Sequence, residues 1–159
     1  MLKIIKEGAK SHLPFSPAIR AGDLVFISGQ ASVDANTGSV IEGTFEEEMR
    51  RSIENLKSIL EVENLSLENV INVKSYVAKE EDLKLYNSIY AEYFNKPLPS
   101  RSTIVNVLPT FLKFELDCIA YAPKTRQEAE KKKVKRPSIT SYLSLTTGIN
   151  FHLSKAVHG

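Results

Sequence analysis

The segments PSRSTIVNV (residues 99–107) and LKFELDCIA (residues 112–120) follow one another closely, and they decide how the fold is interpreted. Both contain the β-branched and apolar residues that are typical of strands. Arg101 stands near the start of the first segment, and Glu115 stands inside the second. If the two strands are neighbours in one sheet, this cation and this carboxylate face each other across them.

The second segment divides into two faces, because successive side chains of a strand point to opposite sides of the sheet. The apolar face, which suits a covering helix, carries Leu112, Phe114, Leu116, Cys118 and Ala120. The opposite face carries Lys113, Glu115, Asp117, Ile119 and Tyr121. Two interpretations of Arg101 and Glu115 follow. Either the arginine binds a carboxylate while Glu115 orients or activates a water molecule, or the two form an ordinary ion pair at the end of a sheet.

The chain has 159 residues and 42% hydrophobic content, which suits one domain with a real core and is short for two. Its single cysteine, Cys118, excludes an intrachain disulfide, so we expect a reducing compartment and a buried structural thiol. We find neither an apolar segment of membrane length nor the apolar centre of a signal peptide. We therefore expect a cytoplasmic protein without a membrane partner.

The net charge of +2 averages two unlike parts of the chain. Residues 1–123 carry 13 basic and 17 acidic residues, which gives −4, whereas residues 124–159 carry 8 basic and 2 acidic residues, which gives +6. We expect one domain over residues 1–123 and a basic, mobile extension over residues 124–159. Binding of nucleic acid is expected only through that extension.

The N-terminal part predicts two strands separated by a stiff loop. Residues 2–5 and 23–30 are typical of strands, and Gly29 marks a point where a ligand or another backbone comes close. Two prolines restrict the loop at residues 12–17, which presents Phe15. Phe15 either lines a pocket or covers the edge of the sheet.

Two helices are predicted on either side of a third strand. Thr44 and Glu47 form a capping-box pattern, and apolar residues at helical spacing follow it. Residues 70–77 predict the strand, and the second helix begins at the acidic residues 80–82. Asn87 lies in this helix, where a hydrogen bond to a neighbouring loop is its simplest role.

This order of elements predicts an α+β fold in which a mixed β-sheet carries two helices packed on one face. The other face of such a sheet remains half exposed. Burial against further copies of the chain is the simplest way to cover it, so we expect a homo-oligomer.

Five stretches of the chain occur together in one known family. They are LPFS (13–16), GDLVFISGQ (22–30), NSIYAEYF (87–94), PSRST (99–103) and FELDCIA (114–120). In this order they resemble the RidA/YjgF/UK114 family of enamine and imine deaminases, whose members are also called endoribonuclease L-PSP. The resemblance implies a chorismate-mutase-like fold, a homotrimer and three pockets at the subunit interfaces.

The resemblance also implies a chemistry. Arg101 would bind the carboxylate of a 2-imino or 2-enamino acid such as 2-aminoacrylate. Glu115 and the backbone carbonyl of Thr103 would position the water that attacks the imine carbon. The products would be a 2-oxo acid and ammonia, without a cofactor or a metal. The substrate-binding residues implied beside Arg101 are Phe15, Ser28, Gln30 and Asn87.

Three residues depart from the family pattern, and two kinds of function stay open. Phe15 replaces a tyrosine, Pro17 a glutamine and Thr103 a cysteine. The first function is a cofactor-free deaminase. The second is a non-catalytic trimer that binds small carboxylates in the same clefts, or that holds an acidic partner such as RNA through residues 124–159.

Overall fold

The computed structural model describes residues 2–123, which form six strands and two α-helices. The strands are β1 (Leu2–Ile5), β2 (Ala18–Ala21), β3 (Leu24–Ala31), β4 (Val70–Val77), β5 (Ser100–Val105) and β6 (Phe114–Tyr121). The helices are α1 (Phe45–Val62) and α2 (Leu83–Tyr93). The basic extension predicted over residues 124–159 lies outside the described residues.

The six strands form one mixed sheet in the order β1-β2-β3-β6-β4-β5. Neighbouring strands are antiparallel except β4 and β5, which run parallel. The prediction that the strands of Arg101 and Glu115 are neighbours is wrong, because β4 lies between β5 and β6. A parallel pair needs a crossover connection, and α2 provides it by carrying the chain from β4 to the outer side of the same strand.

Helix α1 begins where its sequence predicts. The Thr44 hydroxyl accepts a hydrogen bond from the Glu47 amide at 3.2 Å, and the Glu47 carboxylate accepts one from the Thr44 amide at 2.7 Å. This confirmed capping box satisfies amides that the first turn leaves without helical partners. The apolar stripe that follows is buried in the core and consists of Met49, Ile53, Leu56, Ile59 and Leu60.

Both helices pack on the same face of the sheet, which confirms the predicted α+β arrangement. The ring of Phe114 on β6 lies 5.9 Å from the ring of Phe45 on α1 and 5.9 Å from that of Tyr86 on α2, measured between centroids. Helix α2 begins at Leu83, slightly later than predicted, because Glu80–Asp82 forms a separate 3-10 turn.

The sequence patterns miss strand β2. It has four residues and one of them is Arg20, so it shows no apolar run. Pairing with β1 and β3 fixes its position instead. Arg20 is also held from outside the strand, because it donates to the Glu63 carboxylate and to the Ala122 carbonyl, each at 3.0 Å.

The sheet face opposite the helices is only partly covered by the described residues. Several apolar side chains on this open face are between 36% and 57% exposed, namely Ile4, Ile19, Phe26, Ile104 and Tyr121. This is the half-exposed face that the sequence predicts. The first part of the candidate site opens on it.

Candidate active site

A cleft of about 430 Å³ opens on the exposed face, where β3 and β6 meet. Its polar side chains are Glu115 and Asp117 on β6 and Ser28 on β3. The apolar side chains of its wall are Phe15, Ile19 and Phe26, and Ile27, whose side chain is buried in the core, also lines it. The cleft therefore sets two carboxyl groups against an apolar wall.

An irregularity in the pairing of β3 with β6, at Ser28 and Gly29, brings Glu115 close to the backbone of β3. A Cβ atom at Gly29 would overlap Glu115 Oε1, so the missing side chain of glycine leaves room for the carboxyl group. The sequence predicts that a ligand or a backbone approaches this glycine. The structure places the Glu115 side chain there.

Ser28 joins the loop of Phe15 to the sheet. Its hydroxyl donates to the Ser16 carbonyl at 2.7 Å, and its amide donates to the Pro17 carbonyl at 3.0 Å. Phe15 is 47% exposed and lines the cleft, which agrees with the first of its two interpretations. Ser28 thus sets the position of the aromatic wall.

Gln30 lies away from the cleft. It is 5% exposed and pairs with Leu116 in the register of β3 and β6, on the face that the helices cover. Its side-chain amide donates to the carbonyls of Ser28 at 3.0 Å and Gly29 at 3.1 Å. Gln30 therefore stabilises the irregular turn of β3 from behind, and the geometry gives no support to its predicted contact with substrate.

The carboxyl group of Glu115 is poised to accept a proton. Burial raises its pKa above the ordinary value of 4.5, and the charge of Asp117 adds to this effect. Asp117 is held by Tyr76, whose hydroxyl donates to Asp117 Oδ2 at 3.0 Å. A carboxylate with a raised pKa is a better general base near neutral pH than an ordinary one.

Arg101 lies at the edge strand β5, against helix α2. Its guanidinium carbon is 4.9 Å from the ring centroid of Tyr86 and 4.7 Å from that of Tyr90. Its Nη2 atom donates to Asn87 Oδ1 at 3.0 Å, and the Asn87 amide donates to the Leu83 carbonyl at 2.9 Å. Two rings and one amide oxygen thus orient the guanidinium, while Arg101 as a whole remains exposed.

Thr103 belongs to the same group of residues. Its hydroxyl donates to the Tyr86 hydroxyl at 3.4 Å, so one tyrosine contacts both Arg101 and Thr103. Burial raises the pKa of the neighbouring Tyr90 phenol, an effect that Arg101 only partly opposes. Tyr90 therefore remains a neutral aromatic surface under the guanidinium.

Within one chain the predicted residues form two groups on opposite faces of the sheet. The register of β4 and β5 places Arg101 beside Val73, on the face that the helices cover. Glu115 lies on the open face, with Phe15 and Ser28. We name the first group the β5 edge group (Arg101, Asn87, Thr103, Tyr86 and Tyr90) and the second the open-face cleft (Phe15, Ile19, Phe26, Ile27, Ser28, Gly29, Glu115 and Asp117).

The β5 edge group and the open-face cleft both lie in the part of the chain that matches a known protein family. A sequence profile described as Endoribonuclease L-PSP matches residues 6–122, a range that contains the β5 edge group and the open-face cleft. The chain belongs to the RidA/YjgF family.

Members of the RidA/YjgF family that resemble this chain carry different names. A RutC family protein of Pyrococcus horikoshii is 39% identical over 68% of this chain and 86% of its own length. Reactive Intermediate Deaminase A, chloroplastic, of Arabidopsis thaliana is 36% identical over 67% of this chain and 58% of its own length. A 2-iminobutanoate/2-iminopropanoate deaminase of Dermatophagoides farinae is 28% identical over 67% and 84%, respectively.

Solved structures of RidA/YjgF proteins share the fold. Yeast Mmf1 superposes with a TM-score of 0.70 at 28% identity, covering 77% of this chain and 100% of its own. RidA from an Antarctic Psychrobacter superposes with a TM-score of 0.66 at 26% identity, covering 74% of this chain and 95% of its own. The YjgF-like fold that the resemblance implies is therefore confirmed.

Other kinds of site find little support in the described residues. Within residues 2–123, no three His, Cys, Asp or Glu side chains are grouped closely enough to hold a metal ion. Burial, with a contribution from Asp117, raises the pKa of the Cys118 thiol to about 12, so this buried side chain is a neutral part of the core. None of the helices in this range has the length and apolar character needed to cross a bilayer.

Several neighbours of the predicted residues are missed by sequence analysis. Tyr86 and Tyr90 are four residues apart and share a helix face, but the same spacing is typical of a buried apolar stripe. Asp117 is not among them, because the alternation of the strand already places it on the polar face with Glu115. Tyr76 has no local signal, because only the register of β4 and β6 brings it to that face.

Proposed function

We propose that the protein hydrolyses reactive 2-imino acids, and 2-enamino acids through their imine forms, to 2-oxo acids and ammonia. The observation that carries this proposal is the carboxyl group of Glu115, with its raised pKa, in an apolar cleft of a chain that also presents an oriented, exposed arginine. The names of the Arabidopsis and Dermatophagoides relatives support a deaminase.

Arg101 is proposed as the carboxylate anchor. A guanidinium presents parallel N–H groups that match the two oxygens of a carboxylate. Asn87 takes one N–H through its Oδ1 atom, and the tyrosine rings contact the flat side of the group. The remaining N–H donors are in a plane that is fixed before substrate arrives, which lowers the entropy lost on binding.

Glu115 is proposed as the general base. The imine nitrogen first takes a proton from solvent. The oxygen of a water molecule then bonds to the imine carbon, the electrons of the C=N double bond move to nitrogen, and Glu115 takes one proton from the water. Glu115 returns that proton to the amine nitrogen, the C–N bond breaks, and ammonia leaves as the remaining hydroxyl releases its proton and becomes the carbonyl. The step consumes one water and uses no cofactor.

The complete site is proposed to form between two copies of the chain. Arg101 and Glu115 of one copy lie on opposite faces of the sheet, so the β5 edge group of one copy meets the open-face cleft of the next. Such an interface joins two different surfaces, and a closed assembly built from it is a ring. We propose a homotrimer with three sites, in which the exposed apolar residues around the cleft are covered.

The activity test uses a serine or threonine dehydratase that generates the imine in solution. We expect the protein to accelerate release of ammonia and the 2-oxo acid. Arg101→Ala and Arg101→Lys should each reduce kcat/KM by about 100-fold or more, since lysine cannot make the bidentate contact. Arg50→Lys is the matched control, because Arg50 is also an arginine over a tyrosine ring, Tyr93, at 5.8 Å.

Two results would contradict the deaminase. One is release at the uncatalysed rate with a folded wild-type protein. The other is full activity in both Arg101 variants. The first result, together with binding of 2-oxo acids that depends on Arg101, would favour the non-catalytic carboxylate-binding function.

A further inference from the structure

The open-face cleft contains a second carboxyl group that the proposed reaction does not use. Asp117 lies two residues from Glu115 on the same face of β6, and both line the cleft. The hydroxyl of Tyr76 donates to one oxygen of Asp117, Oδ2, at 3.0 Å. Tyr76 is also the register partner of Glu115 on β4, so the hydroxyl that fixes Asp117 comes from the strand beside Glu115.

We propose that Asp117, anchored by Tyr76, is a positioning residue that controls how Glu115 takes up and releases its proton. This inference rests on the proposed function and adds a residue to it. Two carboxyl groups in one half-buried cleft cannot both be ionised without cost, because the like charges repel each other. The hydrogen bond from Tyr76 fixes the Asp117 carboxyl group in the cleft, close enough for its charge to act on Glu115.

The electrostatics of the cleft agree with this assignment. Burial is the main reason why the pKa of Glu115 is raised, and Asp117 is the charged group that raises it further. Burial also raises the pKa of the Tyr76 phenol, and its bond to Asp117 adds to that effect, so Tyr76 remains a donor at neutral pH. A base whose pKa lies closer to the working pH removes a proton from water more effectively.

The other charged groups near Glu115 lie at the start of β6 and on β4. Lys113 lies two residues before Glu115, directly before the start of β6, but its ammonium group is held by the buried Glu48 at 2.9 Å. Lys74 on β4 is the register partner of Asp117. Strand β3 contributes the uncharged Ser28, Gly29 and Ala31 beside it.

The proposed trimer adds one more charge to this environment. Arg101 of a second copy would bring a cation to the cleft, and a cation lowers the pKa of a carboxyl group. A substrate carboxylate bound to that arginine would cancel much of the effect. Asp117 therefore keeps Glu115 basic most clearly in the complex with substrate.

The test compares Asp117→Asn with the wild-type protein in the pH profile of kcat, which reports the pKa values of the complex with substrate. Asparagine keeps an oxygen that accepts the Tyr76 hydrogen bond, so the fold should be retained. We expect the acid limb of the profile to move to lower pH by about one pH unit, and the plateau to fall because Glu115 becomes a weaker base. A role in folding alone would lower the plateau without moving the limb.

Two further variants sharpen the comparison. Tyr76→Phe removes only the anchoring hydroxyl, and we expect part of the same shift, since the released Asp117 carboxylate turns toward solvent. Glu61→Gln removes one exposed carboxylate outside the cleft, and we expect an unchanged profile. If the acid limb of the pH profile does not move in Asp117→Asn, the proposal is wrong. If it moves in Asp117→Asn but not in Tyr76→Phe, Tyr76 has no part in the control of Glu115.

A direct titration separates this inference from the proposed function. Glutamate labelled with ¹³C at the side-chain carboxyl reports each Glu by NMR, and Glu115→Gln assigns the signal of Glu115. We expect Glu115 to titrate above the ordinary value of 4.5 in the wild type, and lower in Asp117→Asn. This shift would support the control of Glu115 by Asp117 even in a protein without deaminase activity. If Asp117→Asn leaves the titration midpoint of Glu115 unchanged, the inference is wrong, even if the protein is an active deaminase.

Discussion

At the scale of single residues, the position of the Glu115 carboxyl group depends on an absent side chain. Gly29 leaves the space that Glu115 Oε1 occupies, and Gln30 stabilises the backbone of β3 around it. A misplacement of a catalytic group by about 1 Å is enough to cost roughly 100-fold in rate. In the proposed reaction, Gly29 would therefore act by positioning Glu115, without touching substrate.

We predict that Gly29→Ala reduces kcat/KM by about 10- to 100-fold while the melting temperature stays close to that of the wild type. The added methyl group displaces the free end of a flexible side chain, so the fold adapts by moving Glu115. Steady-state kinetics and thermal unfolding by circular dichroism measure the two effects. The double variant with Glu115→Gln should be no slower than Glu115→Gln alone, and additive losses would show that Gly29 acts elsewhere.

Candidate residues for the site can be chosen from the sequence, but most of their neighbours in the fold cannot. Arg101 and Glu115 stand out because charges are unusual beside β-branched runs, and the family motifs select the same two residues. Tyr76 and the contact between Gly29 and Glu115 depend on strand register and on an irregular pair, which no local pattern contains. For Gln30 the sequence is misleading. Its motif suggests a contact with substrate, but it lies on the face of β3 that points into the core.

At the scale of elements, a buried carboxylate joins the end of α1 to the sheet. Glu63 follows the last helical residue, where a negative charge is unfavourable to the helix dipole. Lys3 on β1 donates to its Oε1 at 2.6 Å, and Arg20 on β2 donates to its Oε2 at 3.0 Å. These two cations offset the dipole and hold two short strands against the helix.

We predict that this cluster makes stability depend on pH. Burial alone would raise the pKa of Glu63, but the hydrogen bonds from Lys3 and Arg20 outweigh it and hold that pKa below the ordinary value of 4.5. Its contribution is therefore present above about pH 4.5 and is lost as pH falls through the lower, native pKa. Urea unfolding at several pH values should show a smaller loss of stability below pH 4.5 for Glu63→Gln than for the wild type.

The same variant should cost about 1–3 kcal/mol at neutral pH, because it removes the charge from two hydrogen bonds at a buried site. Glu61→Gln is the control, as Glu61 is an exposed residue of the same helix. Parallel pH profiles for wild type and Glu63→Gln would contradict this account of Glu63.

Elements are predicted from sequence with unequal success. Helix α1 is found from its capping box and stripe, because both signals are local. Strand β2 is missed because four residues with one arginine form a strand only between two partners. The order of β4, β5 and β6 is set by a crossover through α2. Strands β5 and β6 are close in sequence, which suggests that they pair, but β4 lies between them in the sheet.

At the scale of the whole molecule, the open face and the β5 edge group are the two surfaces on which the proposed assembly rests. Exposed apolar residues surround the cleft, and Arg101, the proposed carboxylate anchor, lies on the opposite side of the sheet. Docking of the β5 edge group of one copy on the open face of the next would cover the apolar residues and bring Arg101 to the cleft. The sequence predicts an oligomer from the half-exposed sheet, whereas the proposal that the site is divided between two copies depends on the strand order.

We predict that the protein in solution has about three times the mass of the 17.8 kDa chain. Sedimentation equilibrium at several concentrations measures this mass directly. Phe26→Glu places a charge among the apolar residues of the open face and should shift the equilibrium toward monomers. A wild-type protein that remains monomeric at high concentration would contradict the ring.

The most direct test of the central claim mixes two inactive variants. Arg101→Ala keeps Glu115, and Glu115→Gln keeps Arg101, so neither homotrimer has a complete site. If each site is built from two copies, unfolding and refolding an equal mixture should restore about a quarter of the wild-type activity, because about one interface in four then joins the two intact residues. A mixture that forms mixed trimers and yet stays inactive would show that Arg101 and Glu115 do not act together across copies.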